Sequence, residues 1–152
     1  MDKRIDVFVT AITLGARVQD LFHLDLAYAP PYSTTKDPVI YTGMILTNDL
    51  ERERKLITPS ELAVKLENHE EVTVIDTRTT KQYQIAHLEG AVNLPLDTLR
   101  EQLNELDPEK LMVTYCNKGV TGNAAQNILI NHGFKQVYNL SGGYKNYSKS
   151  NK

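Results

Sequence analysis

Apolar residues recur along this chain with two different periods, and the change from one to the other divides it. Near the start, Ile5, Phe8, Val9 and Ile12 are spaced for one face of a helix, and Gly15 suits its end. A second short helix is expected over 18–24. The strip Asp25-Leu26-Ala27-Tyr28-Ala29-Pro30-Pro31-Tyr32-Ser33 follows, where the proline pair forces an extended chain. Asp37-Pro38 then reads as a helix start, with Val39, Ile40, Met44 and Ile45 apolar along it. Short helices around a proline-rich strip make a poor stand-alone core. The charge run Glu51-Arg52-Glu53-Arg54-Lys55 reads as a solvated helix end or linker and places a boundary, with one part over 1–54 and another over 55–152.

Beyond that boundary strand and helix signals alternate. Thr58-Pro59-Ser60-Glu61 is a capping box with proline at the first helical position, opening a helix that runs to about Asn68. Val72-Thr73-Val74-Ile75 is β-branched and predicts a strand ending at Asp76; 79–85 reads as a short helix, and Ala91-Val92-Asn93-Leu94-Pro95 as a brief extended piece. Leu96, Leu99, Leu103 and Leu106 are spaced for one face of a further helix. A strand over 111–115, a helix over 123–131 ending at Gly133, a strand over 137–140 and a terminal helix after Gly142-Gly143 complete the pattern. Strands joined by helical crossovers predict an α/β fold: a parallel sheet flanked by helices, carrying a small, mostly helical N-terminal appendage.

Charge and composition narrow the function classes. Hydrophobic residues make up 41% and charged residues 24% of the 152 positions, as in a soluble globular protein. A formal net charge of -2 argues against a general nucleic-acid or anionic-membrane binder. The opening 1–15 has two basic residues before an apolar stretch, but Asp6, Thr10 and Thr13 interrupt it and no small-x-small cleavage site follows. No stretch approaches membrane-spanning length, so neither membrane nor nucleic acid is expected as a partner. His23, His69 and His132 have no spacing relation to each other or to the cysteine, so no metal site is expected. One cysteine forms no internal disulfide and suits a reducing compartment, which makes the cytoplasm the expected location.

That cysteine, Cys116, is the most informative residue. It ends the run Leu111-Met112-Val113-Thr114-Tyr115 and precedes Asn117-Lys118-Gly119-Val120-Thr121-Gly122. Loop N–H groups and a helix N-terminus carry partial positive charge, which favours thiolate over thiol and stabilises anions on the sulfur. The bland reading is a buried structural thiol. The Gly119 and Gly122 pair is too short for a nucleotide P-loop. Asp76 and Arg78 follow a strand where side chains can meet the cysteine loop; they hold each other and its backbone, or Arg78 meets an anionic donor. His87, beside the Gly90-Ala91 turn, reads as a packing or hydrogen-bonding residue.

Taken together, Val74-Ile75-Asp76-Thr77-Arg78, Tyr83, His87, Gly90-Ala91-Val92-Asn93-Leu94-Pro95, the cysteine loop and Leu140-Ser141-Gly142-Gly143-Tyr144 resemble a rhodanese domain. The resemblance covers nearly all of 58–148. It implies a sulfurtransferase in which Cys116 accepts a sulfane sulfur, holds it as a persulfide and passes it to a nucleophilic acceptor. Asn117, Lys118, Gly119, Val120, Thr121, Gly122 and Arg78 would bind the donor, with Asp76 supporting them. One position departs from the pattern: active rhodaneses commonly carry arginine five residues after the cysteine, and this chain has Thr121. Lys118 offers a positive charge, but a flexible ammonium does not reproduce a bidentate guanidinium. The phosphatase relatives of the fold need a longer loop and an arginine where this chain has Gly122, which argues against that activity.

The N-terminal part has its own resemblance. Lys3-Arg4-Ile5-Asp6-Val7, the strip 25–33 and Lys36-Asp37-Pro38-Val39 look like the end of the dimerisation domain of flavin-dependent disulfide reductases, most of all coenzyme A-disulfide reductases and related NADH oxidases. Fusions of such a reductase with a C-terminal rhodanese domain would account for both parts. The resemblance implies that Tyr28 is a remnant of a coenzyme A site, that FAD, NAD(P)H and coenzyme A serve the full-length fusion, and that the N-terminal part supports a homodimer. No cofactor is expected on these residues themselves, because no Gly-x-Gly-x-x-Gly loop occurs among them. The expected partners are a small sulfane-sulfur donor, a thiol acceptor and the flavin reductase domains. A catalytically weak binding or docking module is the rival reading, kept open by Thr121.

Overall fold

A computed structural model describes residues 2–27, 37–51 and 54–150. It divides into two compact units, Met1–Glu53 and Arg54–Lys152.

The first unit holds α1 (Asp2–Thr13), α2 (Val18–His23) and α3 (Pro38–Glu51). Its helices stand where the spacing predicts them, but their burial does not follow. Ile5, Val9 and Ile12 of the expected apolar face are 61%, 55% and 77% exposed, and only Phe8 of that face is half-buried. Among the unit's described residues only Asp37, Val39 and Gly43 are buried. Three short helices offer too little surface to cover one another. Asp37 is tied down twice: its carboxylate accepts from the Val39 N–H at 2.9 Å and meets the Arg4 guanidinium at 2.7 Å.

The second unit is built on a five-stranded, all-parallel sheet in the order β1-β5-β4-β2-β3. Its strands are β1 (Leu56–Ile57), β2 (Val72–Asp76), β3 (Val92–Asn93), β4 (Leu111–Tyr115) and β5 (Gln136–Leu140). Between and after them run α4 (Pro59–Glu67), α5 (Thr80–Ile85), α6 (Val120–Asn131) and α7 (Gly143–Ser150). The capping box forms at Thr58: Glu61 N–H donates to its hydroxyl and the Glu61 carboxylate accepts from the Thr58 N–H at 2.8 Å. Alternation along each strand feeds two cores. Ile75, Met112 and Val137 pack with Leu99, Ala125, Leu129 and Phe134 on one face. Val74, Val113, Tyr115 and Leu140 pack with Leu62, Leu88 and Ala91 on the other.

Three expectations need correction. β1 was not foreseen, because two residues are too short to show a period; pairing with β5 makes it a strand. The expected leucine helix over 96–106 is instead a pair of single 3₁₀ turns, Leu99–Glu101 and Leu103–Glu105. Gln102, at φ -107° and ψ 4°, breaks the run, while Leu99 and Leu103 still reach the core. α6 starts at Val120 rather than Asn123, so the cysteine loop is shorter than expected and Thr121 and Gly122 belong to the helix's first turn.

Candidate active site

Cys116 follows β4 directly, at the carboxyl end of the parallel sheet, where the crevices of open α/β folds bind ligands. Only three residues, Asn117, Lys118 and Gly119, separate it from α6. Gly119 makes so tight an entry workable: its φ of +99° is in the left-handed region, which side chains disfavour. The turn aims the Gly119 N–H at Cys116 Sγ, 3.1 Å away. The thiol is 5% exposed. Burial pushes it up, but the Thr121 hydroxyl and the N–H groups of Gly122, Lys118 and Gly119 all hydrogen-bond to the sulfur, and together they hold it below its ordinary value.

Two residues therefore act differently from expectation. Thr121, read as a missing arginine, supplies a hydroxyl to the sulfur from the first turn of α6. Lys118, read as a positive charge near the thiolate, contributes its backbone N–H, while its side chain is exposed at the rim. Gly122 is buried beneath the loop, and a Cβ there would overlap Asn139 Oδ1. Val120 is 71% exposed at the mouth.

Behind the loop stands a buried ionic cluster. Arg78 Nε and Nη2 donate to the two oxygens of Asp76 at 2.9 and 2.6 Å, and the Tyr115 hydroxyl donates to Asp76 Oδ2 at 2.7 Å. Arg78 Nη2 also donates to the Ala86 carbonyl at 2.7 Å, and Nη1 to Asn117 Oδ1 at 3.3 Å. The guanidinium lies 4.4 Å from the Tyr144 ring centroid. Asp76 and Arg78 thus hold each other and the loop, and Asp76 is fully buried. Burial pushes the Tyr115 phenol well above its ordinary value, so it remains a donor to Asp76. The loop is held from the far side as well, by the Tyr144 and Lys145 N–H groups donating to the carbonyls of Cys116 and Asn117 at 2.8 and 3.2 Å.

The cleft over the sulfur has a volume of about 470 Å³ and is lined by Thr79, Gln82, Lys118, Thr121 and Lys145 together with Cys116 and Arg78. None of the described residues lining it carries a carboxylate. His87 is outside it, exposed, stacked on Tyr83 at 3.9 Å with Nδ1 2.8 Å from the Tyr83 carbonyl. Tyr28 lies outside the described residues. Among the described residues no three His, Cys, Asp or Glu side chains are grouped to hold a metal ion, and no helix is long and apolar enough to cross a membrane. Sequence reasoning missed Lys145, Thr114 and Asn139. For the last two a signal existed: polar residues inside otherwise apolar strand patterns.

The rhodanese-like domain family matches residues 58–150, and the chain belongs to that family. Among solved structures, the reduced Bacillus anthracis CoADR-RHD superposes with a TM-score of 0.86 at 36% identity, over 97% of this chain and 26% of that one. A NAD-dependent persulfide reductase from A. fulgidus gives 0.79 at 34% identity, over 95% and 25%. Among curated proteins, the tRNA uridine(34) hydroxylase of Hamiltonella defensa subsp. Acyrthosiphon pisum (strain 5AT) is 38% identical over 84 residues, which are 51% of this chain and 24% of that protein. The chain spans about a quarter of the length of each of these relatives.

Proposed function

We propose that this chain carries sulfane sulfur as a persulfide on Cys116, in the service of a flavin-dependent coenzyme A-disulfide or polysulfide reductase. The observation that carries the reading is the sulfur itself: a thiol held below its ordinary value by one hydroxyl and three N–H groups, at the mouth of a cleft. Such a ring of donors stabilises a thiolate before transfer and a persulfide anion after it. The thiolate attacks the outer sulfur of a donor persulfide R–S–SH. The Cys116 S–S bond forms as the donor S–S bond breaks, and R–S⁻ leaves. An acceptor thiolate then attacks the terminal sulfur, takes it as its own persulfide and releases the Cys116 thiolate. No net oxidation occurs.

The solved relatives support the context, since one is a NAD-dependent persulfide reductase and one a CoADR-RHD, and both align with almost the whole chain. FAD and NAD(P)H would be held by the reductase domains, because these residues contain no dinucleotide-binding loop. Coenzyme A would enter as a thiol or persulfide, a homodimer would form through the N-terminal unit, and the cytoplasm would supply the reducing surroundings. Lys118 and Lys145 at a cleft without carboxylates favour a small anionic donor. The rival, a docking module with weak chemistry, draws on Thr121 standing where a guanidinium is common. Intact mass after incubation with a small-thiol persulfide separates them. A gain of one sulfur, reversed by reductant and absent in Cys116→Ser, is expected; no gain would leave the docking reading.

A further inference from the structure

The face of the sheet under α6 buries two neighbouring polar residues among its apolar ones. Thr114 of β4 and Asn139 of β5 are register partners, 0% and 5% exposed, among Ile75, Met112 and Val137. Polar groups at such depth are costly unless bonded, so their partners show what they are for. Both reach the same turn. Asn139 Nδ2 donates to the Gly119 carbonyl at 3.0 Å, and the Thr114 hydroxyl lies 3.0 Å from the Gly122 carbonyl and 3.2 Å from that of Tyr138. Gly119 and Gly122 are two of the residues whose N–H groups hold the Cys116 sulfur. The contact is close: a Cβ at Gly122 would overlap Asn139 Oδ1, and that oxygen is buried without a hydrogen bond of its own. An asparagine kept here for packing alone would be better replaced by leucine, since half of its amide is unsatisfied.

We infer that Asn139, with Thr114 beside it, is a positioning residue for Cys116: the pair holds the carbonyls of Gly119 and Gly122 so that their N–H groups face the sulfur. Each of these carbonyls is bonded to the same Cα as the N–H in question, so anchoring it from below limits the φ and ψ rotation by which that residue could turn its N–H away from the sulfur. Neither side chain touches the sulfur. The inference rests on the thiolate role of Cys116 in the proposed function, but its test needs no sulfur donor.

The test is the pH dependence of Cys116 alkylation by a neutral reagent, measured on the whole chain together with its melting temperature. Asn139→Leu keeps the approximate volume and removes the donor. Thr114→Val is isosteric without the hydroxyl, and Thr114→Ser restores it. The alkylation midpoint is expected to rise in Asn139→Leu and in Thr114→Val, leaving about three- to tenfold less thiolate at a pH below the midpoint, and to return in Thr114→Ser. Melting temperatures that fall while every midpoint stays in place would overturn the inference and leave the pair as packing. If Asn139→Leu does not fold, Thr114→Val and Thr114→Ser decide the matter by the same criterion. Failure of the unaltered chain to gain sulfur would remove the proposed function and leave these midpoint shifts standing.

Discussion

In the unit Met1–Glu53, apolar residues at helical spacing end in solvent, with Ile12 77% and Leu14 79% exposed. In Arg54–Lys152 similar spacing ends in full burial, with Leu62, Leu99 and Leu129 at 0%. Local rules are obeyed equally in both, since α1 and α4 form where their patterns place them. The difference is a sheet. Five strands offer two faces, and helices on either side bury their stripes against them. Three short helices offer each other no such surface. Among the described residues of the first unit, a patterned face therefore stays exposed where the second unit buries its own.

The widest expected separation between the units is chemical. Cys116→Ser should abolish sulfur transfer with little loss of stability, since a hydroxyl cannot form a persulfide. Tyr28→Phe, in the first unit, should leave transfer unchanged. A donor–acceptor turnover assay on both variants checks this, and residual turnover in Cys116→Ser above the uncatalysed background would move the chemistry elsewhere.

The next separation is in packing. Leu129→Ala should cost about 2–5 kcal/mol, and Ile12→Ala should stay within about 0.5 kcal/mol, because only the first leaves a cavity. Urea unfolding at two protein concentrations measures both. A cost for Ile12→Ala that appears only at the higher concentration would mean that a second copy covers the α1 face.

Within the second unit the cysteine loop can be sharpened by its departure from the family. Thr121→Arg should raise activity with thiosulfate by about one to two powers of ten, if the guanidinium supplies the ~1.5–3 kcal/mol of a charge-assisted hydrogen bond. A persulfide donor should gain much less. Steady-state rates with both donors give the ratio, and an unchanged ratio would place the anion site away from residue 121.

A smaller effect concerns the thiol. Its alkylation midpoint should lie below the ~8.5 of an ordinary cysteine, because four hydrogen bonds favour the anion against burial. Thr121→Val should raise the midpoint, since removing a donor to the anion favours the thiol. The sign carries over to stability. A depressed folded-state value contributes stability that is present above ~8.5 and lost as pH falls through the folded midpoint. Melting temperature against pH, compared between the native chain and Cys116→Ser, should show that loss only in the former. In α4, Thr58→Ala should cost about 1 kcal/mol by removing the cap, read by urea unfolding.

Much of this molecule was determined by the sequence alone. The β-branched run at 72–75, the capping box at Thr58 and the cysteine at the end of an apolar strand are local signals, so that strand, the start of α4 and the place of the candidate cysteine could be read directly. The Asp76 and Arg78 pair was legible as a pair, but not as a cluster with Tyr115, Ala86 and Asn117, which lie up to 39 residues away along the chain. Only the tertiary structure decided what the polar interior positions do. Thr114 and Asn139 look like interruptions of their strands until parallel pairing sets them side by side beneath the first turn of α6. Thr121 likewise looked like a deficit until α6 began at Val120 and turned its hydroxyl to the sulfur. The physical reason is common to all three. Strand and helix periodicity is set by neighbours in sequence, whereas a hydrogen bond between a sheet and a loop depends on register and on where a helix begins, which only packing fixes.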